Sequence, residues 1–319
     1  MRTKTIGLLS AAVLLLCLLT GCGKADDRVR VAVITKATNS DFWHGVQSGV
    51  EAAASAYAAD VTFTGPDSEE DHAAQNELIR QAVENGADAI VLSAIDRQRN
   101  AAAVDEAAAR GVKIVSIDSA VDSDAVALFI GTDDRAAGRA AGEAAVAGFV
   151  SPAQIRIGLV NIAKETANGA EREQGLRDYL AGVPNAEIVA AEHAENTLAD
   201  ATEAAARLLR EHPQINVLIG FNEWMTLGVG AAIRDADAAA RVRGVGFDAN
   251  VVSVAMLETG EMDALIVQDP YAIGYLGVRY AVALIGGEQV PAQPVYTTVA
   301  TADRTNMFDE DMQKLLFRF

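Results

Sequence analysis

The chain has 319 residues, 22% of them charged, and a formal net charge of −18. That length allows one large or two medium domains with a sizeable core. The acid excess repels phosphate backbones, which argues against nucleic-acid binding and fits solubility at an anionic cell surface.

Arg2 and Lys4 precede an apolar run from Ile6 to Leu19. The run is too short to span a bilayer and has the length of a secretory leader. It ends in Leu19-Thr20-Gly21-Cys22, which resembles the bacterial lipobox: small residues expose the backbone to the lipoprotein peptidase, and the cysteine sulfur carries the lipid. The expectation is a leader at 1–21, lipidation of Cys22, a short polar tether at 22–28, and an extracytoplasmic domain held at the cell membrane. An ordinary leader with an incidental cysteine is the competing reading, and the position of the block directly after the apolar run speaks against it. Removing Arg2 and Lys4 brings the mature charge to about −20. Cys17 leaves with the leader, so no disulfide and no cysteine-based metal site is expected.

From Val29 onward short β-branched runs alternate with alanine-rich helical stretches. Val29–Ile34 reads as a strand, followed by a helix with Phe42, Val46, Val50, Ala53 and Tyr57 on one face. Val61–Phe63 is a strand, and the next helix, marked by Leu78, Ala82 and Val83, stops at Gly86. Ile90–Leu92, a helix from Ala101 to Arg110 ended by Gly111, and the strand Val112–Ile117 complete one series. Near Ile130–Asp133 the series restarts, with a helix over 135–150 and later strands at Ile155–Val160, Val217–Ile219 and Val242–Phe247. This alternation predicts an α/β protein of two doubly wound parallel-sheet units without a flexible linker between them.

Ligands of open parallel sheets bind beyond the carboxyl ends of the strands. The first polar residues after each strand are Asn39, Asp41 and Phe42, then Ser93, then Asp118. In the second series they are Arg172, Asn222, Asp248 and Gln268. Planar hydrogen-bonding groups of this kind can each engage two neighbouring hydroxyls. Phe42, Trp43 and Trp224 open helices near the same ends, where a ring can cover the C–H face of a sugar. Taken singly, an Asp or Asn at such a junction can be only a helix cap, and an aromatic only core. Glu69-Glu70-Asp71-His72 reads as acids at a helix N-terminus rather than a metal site. His44, His193 and His212 show no ligand spacing, so no metal or other cofactor is expected.

These residues resemble the periplasmic sugar-binding proteins of the ribose/galactose type. The resemblance is carried by Asn39-Ser40-Asp41-Phe42-Trp43, Asp88 to Leu92, Val115 to Asp118, Gly131-Thr132-Asp133, Arg172 to Gly175, Phe221 to Gly228, Val245 to Asp248 and Ile266 to Pro270. It covers roughly 29–299 and implies the type I periplasmic binding protein fold, two lobes joined by a three-segment hinge. The implied N-lobe is 29–131 plus 269–296, and the C-lobe is 132–268 plus 297–319. In ribose-type members the sugar is held at positions matching Asn39, Phe42, Asp118, Arg172, Asn222, Asp248 and Gln268. Three positions depart from that pattern: Ser119 replaces an arginine, Ser93 an asparagine, and Asp41-Phe42 stand where two aromatics are adjacent. The ligand is therefore open among a pentose, a hexose, a polyol and inositol. Asp41, Asp118 and Asp248 set against Arg172 and Lys36 leave room for an amine-bearing one.

The implied function is hinge closure on the ligand and delivery to an ABC permease by a monomer with no catalytic activity. The alternative partner is a membrane sensor kinase to which the same closure reports. A glycosidase reading of Asp118 and Asp248 lacks supporting motifs, and the N-terminal leader takes the place of a repressor's helix-turn-helix.

Overall fold

A computed structural model describes residues 28–150 and 153–317. The leader, Cys22 and all of the tether except Arg28 lie outside the described residues.

Strands β1 (Arg30–Ile34), β2 (Asp60–Thr64), β3 (Ala89–Leu92), β4 (Lys113–Ile117), β5 (Val126–Gly131) and the short β11 (Val295–Tyr296) form one sheet, ordered β11-β5-β4-β3-β1-β2. Strands β6 (Ile155–Asn161), β7 (Ala186–His193), β8 (Val217–Gly220), β9 (Arg243–Phe247), β10 (Ala264–Val267) and β12 (Ala300–Ala302) form the other, ordered β12-β10-β9-β8-β6-β7. Neighbours run parallel except β10 and β12. The central strands β3 and β8 are buried at every residue, as continuous apolar strands must be when helices cover both faces. Strands β6–β10 repeat the order of β1–β5, so the second half restates the first in topology.

The first sheet carries α1 (Asp41–Tyr57), α2 (His72–Glu84) and α3 (Ala101–Ala109); the second carries α4 (Asp134–Val146), α5 (Ala167–Leu180), α6 (Leu198–Glu211), α7 (Glu223–Asp235) and α8 (Val251–Thr259). The chain passes between the sheets three times: after β5, after β10, and between β11 and β12. Helix α9 (Pro270–Ile285) accordingly buries Ile273, Val278 and Ala281 with the core of the first sheet. The tail returns to the second, where Met307 and Leu316, the latter on α10 (Glu310–Leu316), join the core. The helix expected over 135–150 stops at Val146, because Gly148 adopts a positive φ of 78° and turns the chain. Strand β5, not separated in the sequence reading, lies just before the first crossing.

Two helix crossings are set by glycine. In one lobe Gly49 of α1 and Gly274 of α9 bring the helix backbones together; in the other Gly138 of α4 and Gly175 of α5 do the same. A Cβ on Gly138 would sit 1.9 Å from the carbonyl oxygen of Arg172, so the arginine's helix is positioned by direct backbone contact.

Candidate ligand-binding cleft

The carboxyl ends of the two sheets face each other across a small, polar-lined cavity. Asp118 follows β4 and Asp248 follows β9, equivalent places in the two sheets. Both take positive φ, 54° and 67°, a conformation that aspartate tolerates better than most residues. In each the backbone N–H is spent on the neighbouring strand: Asp118 donates to Ile130 O at 3.0 Å and Asp248 to Ile266 O at 2.9 Å. Both carboxylates line the cavity.

Arg172 reaches the cavity from α5 and is fully buried. Its Nε donates to Asp134 Oδ1 at 2.7 Å, one terminal nitrogen to the Phe221 carbonyl at 2.9 Å, and the other to Gln268 Oε1 at 2.9 Å. The guanidinium also lies 4.7 Å from the Phe247 ring centroid. Gln268, at the second crossing, accepts from Thr132 at the first (2.6 Å) and donates to Asp248 Oδ1 (2.6 Å). Burial pushes Asp134 up to about 7 against the pull of Arg172, and Asp248 up to about 6 against Arg172 and the Gln268 amide.

On the opposite wall Lys36 Nζ sits 3.4 Å from Asp118 Oδ2 and 3.6 Å from Glu69 Oε2. Burial works against its ammonium, yet the two carboxylates prevail and hold its pKa above the ordinary lysine value. Glu69 accepts from the Trp43 indole at 2.8 Å, and its own pKa is raised because burial outweighs Lys36. Phe42 and Trp43 meet edge to face with centroids 5.0 Å apart. Behind this wall the Ser93 hydroxyl donates to Asp118 Oδ2 at 2.7 Å.

Hydrogen bonds bridge the lobes around the cavity. Asn168 donates to Asp118 Oδ1 (3.1 Å), the Asn196 N–H to Glu70 (2.9 Å), Thr166 to the Ile95 carbonyl (3.3 Å), and the Asp41 and Phe42 N–H groups to Glu223 (3.3 and 3.0 Å). The conformation is closed.

Of the residues expected at the site, Phe42, Trp43, Asp118, Arg172, Asn222, Asp248 and Gln268 line the cavity together, with Trp224 and Lys36. Ser93 stands one layer behind. Asp41 and Asn39 do not reach it. Successive helical residues turn by about 100°, so with Phe42 and Trp43 facing inward the side chain of Asp41 points out, 44% exposed and 3.5 Å from His44. Asn39 is an exposed loop residue, and Ser40 after it caps α1. Sequence reasoning missed Asn168, Asn196 and Glu223 and assigned Glu69 to a helix N-terminus; Asp71 is the residue that caps α2. Two of these had a usable signal. Asn168 lies four residues before Arg172 on one helix, hence on the same face, and Glu69 follows β2, the one strand end of the first series not read.

Two doubly wound lobes with a polar cavity between their facing strand ends define the type I two-lobed binding-protein fold. The sequence matches the family model described as the periplasmic binding protein domain over residues 31–289, and the chain belongs to that family. It is 25% identical to the D-ribose/D-allose-binding protein of Pseudomonas aeruginosa, covering 90% of this chain and 93% of the relative. The ribose import binding protein of Bacillus subtilis is also 25% identical, with 79% and 80% covered. Among solved structures, a carbohydrate transporter solute-binding protein from Agrobacterium radiobacter in complex with D-arabinose matches with a TM-score of 0.87 at 28% identity, covering 91% of this chain and 99% of that one. A solute-binding protein of an ABC transporter from Agrobacterium vitis with bound D-fucose matches at 0.86 and 28%, covering 90% and 100%.

Proposed function

We propose that this protein captures a monosaccharide or polyol outside the cytoplasmic membrane and hands it to an ABC permease. The observation that carries the reading is the cavity itself: Asp118 presented by one lobe, with Asp248, Arg172, Asn222 and Gln268 presented by the other, and aromatic surface from Phe42, Trp43 and Trp224. Planar charged and amide groups grip paired hydroxyls, while rings cover C–H faces. The ligands named for the similar proteins, ribose, allose, arabinose and fucose, are of one chemical class. Ser93 and Ser119 stand where ribose-type proteins carry larger polar side chains, which favours a ligand of different outline from ribose.

In this reading 29–131 with 269–296 and 132–268 with 297–319 move as rigid lobes about the three crossings, and the ligand selects the closed state. The protein works as a monomer without chemical turnover, kept at the membrane by the lipid on Cys22. A thermal-shift screen of monosaccharides, polyols, inositol and amino sugars tests the capture step, because a ligand specific for the folded state must raise the unfolding midpoint. A shift with one sugar or polyol, followed by a calorimetric affinity, supports the reading; no shift with any member of the panel overturns it. For the anchor, Cys22→Ser must release the protein from the membrane fraction.

A further inference from the structure

Glu223 is 7% exposed and lies at the meeting point of three helix N-termini. It is the first residue of α7, its Oε1 accepts from the side chain of Asn250, the cap of α8, at 2.9 Å, and its two oxygens accept the Asp41 and Phe42 N–H groups of α1 from the opposite lobe at 3.3 and 3.0 Å. The first N–H groups of a helix have no partner within it. In α1 the Ser40 hydroxyl serves Trp43, which leaves Asp41 and Phe42 to be satisfied from elsewhere. A carboxylate serves them well, since it accepts charge-assisted bonds and sits at the positive end of the helix dipole.

We infer that Glu223 is a positioning residue that caps α1 in trans and so ties ligand capture to lobe closure. The cap exists only when the lobes meet; on opening, both N–H groups and the carboxylate face water. Closure also fixes the start of α1, the turn that carries Phe42 and Trp43 into the cavity. The inference rests on closure of the two lobes around a ligand and not on that ligand being a sugar.

Two variants break the cap from its two sides. Glu223→Gln keeps the shape but turns an amide NH2 toward N–H donors, so at least one bond is lost. Asp41→Pro removes one donor alone: proline suits the first helical position, Ser40 before it is extended at φ −123° and ψ 163°, and the Asp41 side chain lies outside the cavity. The test measures ligand dissociation rates and amide hydrogen exchange at Phe42 with D-ribose, D-arabinose and D-fucose, each used if it raises the parent's unfolding midpoint, and exchange without ligand in every case. Expected for E223Q is dissociation faster by about tenfold, the same factor for each sugar, with loss of Phe42 protection. D41P loses less, and the double variant loses less than the product of the two single effects. Unchanged dissociation and protection in E223Q overturn the inference. So does a loss that differs between sugars while Phe42 stays protected, which would make Glu223 a direct ligand contact. If none of the three sugars binds, the ligand is taken from the wider panel of monosaccharides, polyols, inositol and amino sugars, and the same two readouts decide. Without ligand the open lobes leave Phe42 exchanging near the intrinsic rate in parent and E223Q alike, and ligand-free protection that is unchanged in E223Q refutes the cap.

Discussion

Replacing Gly138 by alanine probes how Arg172 is held. The new Cβ would lie 1.9 Å from the Arg172 carbonyl oxygen and 2.7 Å from its carbonyl carbon, both backbone atoms that cannot rotate away. Reaching even a tight 3.0 Å contact requires α4 and α5 to part by about 1 Å. Alanine favours a helix over glycine by about 1 kcal/mol, whereas overpacking of a fitted contact costs about 1–3 kcal/mol. The expected net loss of folding stability is therefore at most about 2 kcal/mol, small enough to leave a folded protein. Binding should suffer more, because a displaced Arg172 loses its alignment with Asp134, Gln268 and the ligand together; a fall of about tenfold to a hundredfold is expected. Urea unfolding without ligand and calorimetry with the ligand found by screening separate the two effects. Gly182→Ala is the control, since its only near neighbour is the Tyr179 oxygen at 3.5 Å. A G138A protein as stable as the parent, binding with unchanged affinity, would refute the reasoning.

Asp118→Asn and Asp248→Asn keep a residue that accepts positive φ, so both proteins should fold while affinity drops by about tenfold to a hundredfold, the worth of a hydrogen bond to a charged group; full-affinity binding by both variants in calorimetry removes them from the site. Asp134 is raised in the folded state to about 7, so its contribution is fully present below the unfolded carboxylate value and is lost as pH rises toward 7. Asp134→Asn should therefore gain stability relative to the parent, by a few kcal/mol between pH 4.5 and 7.5, and a pH-independent difference in urea unfolding contradicts this. The Ser119 hydroxyl is the one buried side-chain polar atom among the described residues without a hydrogen-bond partner. Ser119→Ala should raise the thermal midpoint, worth up to about 1 kcal/mol; a fall would mean that the hydroxyl is used.

Much of this architecture was legible because the signals were local. β-branched runs, glycine stops and the 3.6-residue stripe of α1 are properties of neighbouring residues, and they located most of the elements. Asp118, Asn222, Asp248 and Gln268 were legible for a related reason: a residue directly after a parallel strand has little freedom to be anywhere but the sheet end. What the sequence concealed depends on three dimensions. Asp41 and Phe42 are adjacent letters, and only the rotation of α1 decides that one points to solvent and the other into the cavity. Glu69 carries the same side chain as Glu70, yet one packs against Lys36 and Trp43 while the other accepts the Asn196 N–H across the cleft. Glu223 looks like an ordinary helix-start acid until the opposite lobe is brought to it.

The matched pair Asp118 and Asp248 has a consequence for how specificity can change. Each is held by its own sheet through the same backbone geometry, and each faces the cavity from its own side. Under the proposed function, a stereocentre facing one lobe would be tested by that lobe's aspartate and its supports, Ser93 and Lys36 on one side, Gln268 and Arg172 on the other. Selection or engineering can rewrite one half of the specificity while the other half continues to hold the molecule in place.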